Sequence, residues 1–308
     1  MNPDLPSATM NQWSLGIDRE IWRGSAFEIQ YLGSHSYHLD RSYYNNTPLP
    51  GPGSVASRRP NQLFGQIRMI QNDEIVNDHG MSVELKQRMT RHIQFMAHYT
   101  WSHALDISSD SNNGGAPMNP YLWRADYASG NWDLRHRFVG SFVYDIPFFA
   151  GANAALKAVF GNWQMNGIIS AQSGMPFNVS YGTDTANTSG GGTNRPKLVG
   201  PASSNCGHGH LTGCIASSAF AIPSLYNYGN AGRNLLRGPD LANVDASLFK
   251  NIPIKERFRI QFRAEFFNFL NHPSFSNPAS TFNTASFGNI TSTSTENRDI
   301  QFGLRLAF

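Results

Sequence analysis

Residues 257–267 read RFRIQFRAEFF. Phe258, Ile260, Phe262, Ala264 and Phe266 fall on one side of the alternation, and Arg257, Arg259, Gln261, Arg263 and Glu265 on the other. A period of two marks a β-strand whose two faces meet different surroundings. The stretch is longer than the ~5–6 residues usual for a strand in a soluble sheet. It matches the ~9–11 residues that cross a bilayer when tilted.

The same pattern recurs along the chain. In 131–146, Trp132, Leu134, Phe138, Phe142, Tyr144 and Ile146 oppose Asp133, Arg135, Arg137, Ser141 and Asp145. In 93–106 the apolar set is Ile93, Phe95, Ala97, Tyr99, Trp101 and Leu105. In 81–89, Met81, Val83, Leu85 and Met89 alternate with Ser82, Glu84, Lys86 and Arg88. Weaker alternation covers 10–22, 27–37, 162–173 and 242–252, and the chain ends on RDIQFGLRLAF, 298–308. The tally is about nine strands. Residues 60–76 alternate faintly and are expected to form a hairpin inside the first long loop.

Composition fits this pattern. Of the 308 residues 15% are charged and 12% aromatic, yet mean hydropathy is −0.38. No stretch approaches the roughly 18 uncharged apolar residues of a spanning helix. Apolar residues spread along two-faced strands, with a polar lumen, are the composition of a transmembrane β-barrel. A net charge of +3 without a dense Lys/Arg run argues against nucleic acid as a partner. A β-sandwich also alternates. Strand length and the aromatics near strand ends (Trp101, Trp132, Trp163, Tyr144, Phe308) favour the barrel and its interfacial girdles.

Connections alternate in length. Short turns are expected near Gly24, Thr90–His92 and Pro253–Glu256, and an intermediate connection at 147–160 holds a helical turn, Ala154–Val159. Long loops are expected at 40–78, 107–130, 182–240 and 272–297. Outer-membrane barrels have this asymmetry, with short turns in the periplasm and long loops outside. The expected fold class is therefore all-β, a partial antiparallel transmembrane β-barrel with long extracellular loops.

Five phrases, taken in order, carry a family likeness: AHYTWSHALD (97–106), NWDLRHRFVGSFVYDIPF (131–148), GNWQMNGIISAQSGMPFNVS (161–180), VDASLFKNIPI…RFRIQFRAEFFNFLNHPSF (244–275) and the ending at 298–308. The series resembles the C-terminal part of the barrel of TonB-dependent receptors, in the Oar-type, carboxypeptidase-regulatory-like subgroup. That resemblance implies a bacterial outer-membrane barrel of about 22 strands with a plugged lumen. The chain supplies about nine of these strands, which cannot close at that diameter without leaving backbone groups unpaired in lipid. The opening MNPDLPSATMNQW has no basic or apolar signal region. Plug and signal peptide are thus expected to be absent, and the chain is read as a fragment inactive alone.

The implied partners are outer-membrane lipid, the barrel-assembly machinery, TonB through the missing plug region, and an unknown bulky substrate. In such a receptor Phe302, Leu304, Leu306 and Phe308 resemble the terminal assembly signal. Arg88, Arg135, Arg137, Arg257, Arg259, Arg263, Glu265 and Arg305 are candidates for the lumen wall and for plug contact. Arg88, Arg257 and Arg259 lie near short turns, whereas Arg135 and Arg137 lie nearer the outer mouth. Tyr121, Trp123, Tyr226 and Tyr228 are ligand-contact candidates by position in the outer loops.

Local motifs give little catalytic chemistry. In CGHGHLTGC (206–214) the spacing of Cys206, His208, His210 and Cys214 matches no standard zinc pattern, so a Cys206–Cys214 disulfide is expected and no metal. DISSDSNNGG (106–115) misses the calcium-loop pattern. No G-x-S-x-G, H-E-x-x-H or P-loop occurs. The expectation is a non-enzyme without a cofactor. It is read as a TonB-dependent transporter for a bulky nutrient, or alternatively as an outer-membrane adhesin or structural surface protein.

Overall fold

A computed structural model of the chain describes residues 5–90, 92–109, 116–149, 151–207, 209–255 and 258–307. Nine long strands follow one another in a single antiparallel sheet: β1 (Thr9–Trp22), β2 (Ser25–Tyr44), β3 (Arg68–Gln87), β4 (Ile93–Asp106), β5 (His136–Asp145), β6 (Trp163–Gln172), β7 (Leu241–Lys255), β8 (Phe258–Phe267) and β9 (Asp299–Ala307). Each pairs with its sequence neighbour, and β1 and β9 form the two edges.

Register sorts the faces. Phe262 stands opposite Leu304, Ile260 opposite Leu306 and Ala264 opposite Phe302. The same side continues through Leu248 and Met165, Tyr144, Phe95 and Leu85, Ile29 and Ile17. The opposite side carries Arg263 and Gly303, Gln261 and Arg305, Ser247 and Glu265, Val143 and Asn166. One continuous apolar face therefore backs one mostly polar face, as alternation in every strand requires. The apolar face is bare: Phe302 is 71% and Leu304 75% exposed.

Two glycines on the apolar face are seats for rings. A Cβ on Gly33 would come within 2.4 Å of the Trp13 ring across β1 and β2. One on Gly167 would come within 2.5 Å of Phe142 across β5 and β6.

The expected hairpin at 60–76 does not form. Arg68–Val76 instead continues β3 upward, paired with a β2 that runs on to Tyr44, so the first outer loop spans 45–67 rather than 40–78. Above Val76, β3 has no β4 partner, because β4 ends at Asp106 opposite Val76. The β2–β3 pair thus projects past the rest of the sheet, and an extended strand reproduces the faint alternation that suggested a hairpin. Register shifts flank Leu39, next to His38 with its φ of 59°, at the base of this projection. Residues 131–135 also depart from expectation: they form a turn, and β5 begins at His136.

The connections beyond β4, β6 and β8 fold onto one another. Phe177, Val179, Cys214, Ile215, Phe220, Leu236 and Ile290 form a buried cluster between those after β6 and β8, with Phe275, Phe282 and Phe287 against it. Two-residue ladders tie the same segments together, Leu198 to Phe220, Phe177 to Leu236 and Phe282 to Tyr181. The helical turn α1 (Val55–Arg58) lies in the first outer loop. Helix α2 (Ala154–Phe160) lies at the other end, between β5 and β6, as the sequence suggested.

Candidate functional site: the polar wall and its outer cap

The polar face is concave. A hollow of about 570 Å³ lies against it, lined by the polar Lys86, Gln94, Ser141, Asn166, Asp245 and Glu265 and also by the apolar Met96, Val143, Ile168 and Phe267. A second hollow of about 400 Å³ sits at the short-turn end, among Asp18, Glu20, Glu28, Glu84, Lys86 and Arg88. There Asp18 is opposite Glu28 and Glu28 is opposite Glu84, a row of three carboxylates across three strands. Like charges directly opposite one another destabilise a sheet. Lys86 and Arg88 line the same hollow and offset part of this repulsion.

The structure places Arg137, Arg259, Arg263, Glu265 and Arg305 on the polar parity. Arg263 donates from Nε to Gln261 Oε1 at 2.8 Å, and its guanidinium lies 4.9 Å from the Phe249 ring centroid. Arg88 lines the lower hollow just past β3. Arg135 is different. It precedes β5 and forks between Asp133, at 3.1 Å, and His103 Nε2, at 3.1 Å. His103 is paired with His79 on the apolar parity, so Arg135 belongs to the outer rim rather than to the lumen wall. Arg257 and Phe308 lie outside the described residues, as does His208 of the CGHGHLTGC motif.

Above the polar wall the outer connections are joined by ion pairs that sequence reasoning did not single out. Arg233 pairs with Asp106, Arg195 with Asp126 and Arg237 with Asp133. Each arginine comes from the connection after β6, and each aspartate from the end of β4 or the connection after it. Arg233 also donates to the Asp106 carbonyl at 2.7 Å, the Asp126 carbonyl at 2.9 Å and Ser109 Oγ at 3.0 Å. Arg237 reaches the Asp133 carboxylate at 2.5 Å and its carbonyl at 2.8 Å. Asp106, Asp126 and Asp133 are buried. Burial works against the ionised Asp133. Hydrogen bonds from Ser129, the Ala104 N–H and Arg135, with the charge of Arg237, outweigh it and hold the carboxyl below its ordinary range. The available signal was charge in a loop otherwise built of Gly, Asn, Ser and Thr, but no spacing pairs these residues.

A fourth pair lies in the projecting β2–β3 arm. Arg41 is buried, donates twice to Asp73 at 2.8 and 2.7 Å, and stacks 4.7 Å from the Trp123 ring centroid. Nearby Glu74 accepts from the Ile107 and Ser108 N–H groups at 2.8 and 2.9 Å. Burial pushes its carboxyl up to about 7, the two backbone donors pulling the other way.

The loop aromatics proposed for ligand contact do not converge on one point. Trp123 is a packing plate between Arg41 and Arg124. The Tyr121 hydroxyl donates to the Thr47 carbonyl at 2.5 Å, and its ring lines an outer cleft with Pro48, Pro50 and Pro52. Tyr228 donates to Thr188 Oγ1 at 3.3 Å, and burial raises its hydroxyl pKa. Tyr226 is exposed, with a left-handed φ of 60°. Cys206 and Cys214 form the expected disulfide. Among the described residues no group of His, Cys, Asp and Glu is arranged to hold a metal ion.

The two-faced sheet has a counterpart among known sequences. The family described as outer membrane beta barrel domain matches residues 1–301. The chain belongs to this outer-membrane β-barrel family. Its bare apolar face is accordingly the lipid-facing surface, and its place is the bacterial outer membrane. Among solved structures, the outer membrane transporter YddB from Escherichia coli is similar at 10% identity with a TM-score of 0.48, over 98% of this chain and 33% of that one. This outer-membrane β-barrel chain therefore spans about a third of that transporter's length. The search of curated proteins finds no match.

Proposed function

We propose that this barrel segment serves a TonB-dependent receptor that imports a bulky nutrient. The observation that carries the reading is the outer cap: three arginines closed on buried aspartates and an apolar cluster fix the connections above a concave, mostly polar wall. A rigid mouth over a wet interior suits capture of a large solute followed by passage inward. The ordered family-like phrases support the same reading. The carboxylate row Asp18–Glu28–Glu84 supports a plug, since a cationic plug surface would relieve its repulsion. Phe302, Leu304 and Leu306 lie on the lipid-facing parity of the edge strand β9, a suitable place for the assembly machinery to read. No catalytic work is assigned to the chain.

The test is uptake by cells carrying the complete receptor. Accumulation of a nutrient that stops when TonB is removed or the proton gradient collapses supports the proposal. Binding at the surface with no energy-dependent uptake overturns it in favour of an adhesin.

A further inference from the structure

The connection between β5 and β6 carries an unexplained concentration of bare apolar side chains. Phe148 is 63%, Val159 59% and Phe160 51% exposed, and Phe149 and Leu156 are exposed with them. Within α2, Leu156, Val159 and Phe160 are spaced i, i+3 and i+4 and so share one stripe. The Phe149 ring packs 5.4 Å from that of Phe160 and widens the stripe. Nothing within the described residues covers it.

The helix has a defined orientation relative to the barrel. Trp163 and Lys250 are register partners on the lipid-facing parity, one step below Met165 and Leu248. Trp163 Nε1 donates to the Val159 carbonyl at 3.0 Å. Lys250 Nζ donates to the same carbonyl at 3.2 Å and to the Gly161 carbonyl, and sits 5.3 Å from the Trp163 ring centroid. The C-terminal end of α2 is therefore pinned to the outward, lipid side of the sheet and not to the lumen side. Those last carbonyls have no partner inside a helix. In water they need none, but at a lipid boundary an unpaired carbonyl is costly. A lysine on a lipid-facing position is also costly except near the interface. Lysine and carbonyls each supply what the other lacks there.

We propose that α2 and the Phe148–Phe149 pair form an interfacial anchor, lying in the boundary between headgroups and acyl chains of the periplasmic leaflet, with phospholipid as the partner. An amphipathic helix with an apolar stripe and a cationic margin binds such a boundary. Lys157 on the helix flank is available to headgroup phosphate. The surface is continuous with the lipid-facing wall through Trp163 and Lys250, which selects lipid over a protein partner.

Single cysteines carrying a nitroxide test this in outer-membrane vesicles; the disulfide-bonded Cys206 and Cys214 do not react. Labels go at Phe160→Cys on the stripe, Ala158→Cys on the opposite side of α2, and Leu304→Cys as a lipid-facing reference. The expected result is that Phe160→Cys, like Leu304→Cys, relaxes several-fold more with dissolved oxygen than with a water-soluble nickel complex, and Ala158→Cys the reverse. A Phe160→Cys label as open to nickel as Ala158→Cys overturns the anchor, as does one shielded from both quenchers, which signals a protein cover. A Leu304→Cys label open to nickel overturns the lipid-facing assignment as well, and so separates the two failures.

Discussion

Arg233, in the connection after β6, closes on Asp106, the last residue of β4, with its guanidinium bonded to both the carboxylate and the carbonyl of that residue. The aspartate is buried, so its charge has no recourse to water. The pair carries a structural duty: it holds an outer connection against the end of a membrane strand.

Arg233→Ala is expected to cost roughly 3–5 kcal/mol, because removing one partner leaves the other charge buried and alone. The loss should appear as faster amide exchange across 173–240 while β4 to β8 keep their protection. Arg233→Met combined with Asp106→Leu should recover most of it, since an apolar pair of similar volume avoids the desolvation cost.

Glu74 gives the cap a pH dependence. Its carboxyl is raised from 4.5 to about 7 by burial, so the folded cap favours the protonated acid. The stabilisation it contributes is full below about 4.5 and is lost as pH rises through about 7, above which both states are ionised. The midpoint for thermal release of residues 107–108 from β3 should fall across that window. Glu74→Gln should flatten the dependence; an unchanged slope in that variant would refute the assignment.

Reduction of Cys206–Cys214 should loosen the cap locally. The bridge closes a sequence separation of 8, which predicts a loss of roughly 2–4 kcal/mol from the small hairpin where Ser204 pairs with Ile215. Proteolysis near 200–216 should accelerate on adding reductant, with the strands unaffected.

The two faces of β9 should tolerate charge unequally. Leu304→Arg places a cation on the lipid side near the strand centre and should cost roughly 2–4 kcal/mol. Gln301→Arg, on the polar parity opposite Glu265, should change stability by no more than about 0.5 kcal/mol. Denaturant titration of the protein in lipid vesicles measures both.

Alternation made the sheet legible because each strand repeats one local rule, and a bilayer on one side with water on the other enforces it nine times over. RFRIQFRAEFF shows its two faces without reference to any neighbour. The upper half of β3 was less visible: it leaves the membrane, the pressure for alternation fades, and Arg68–Val76 reads as part of a hairpin within the first long loop. The cap was not legible at all. Arg195 meets Asp126, and Arg237 meets Asp133, across more than a strand-length of intervening chain, so only tertiary contact shows that these charges are paired. Tyr121 and Trp123 do lie in the long connection after β4, but their engagement with Thr47 and Arg41 depends on how two separate loops meet.

The rings seated over Gly33 and Gly167 solve a problem that face parity leaves open. Sliding one ribbon past the next by two residues keeps grease with grease and water with water, so binary patterning cannot forbid it. Such a slide would drive the Trp13 indole from the vacancy at Gly33 onto Tyr31 or His35. Each glycine thus works as a notch that an indole or phenyl key fits at a single setting, letting the edge ribbon find its alignment by shape where polarity offers several equivalent choices.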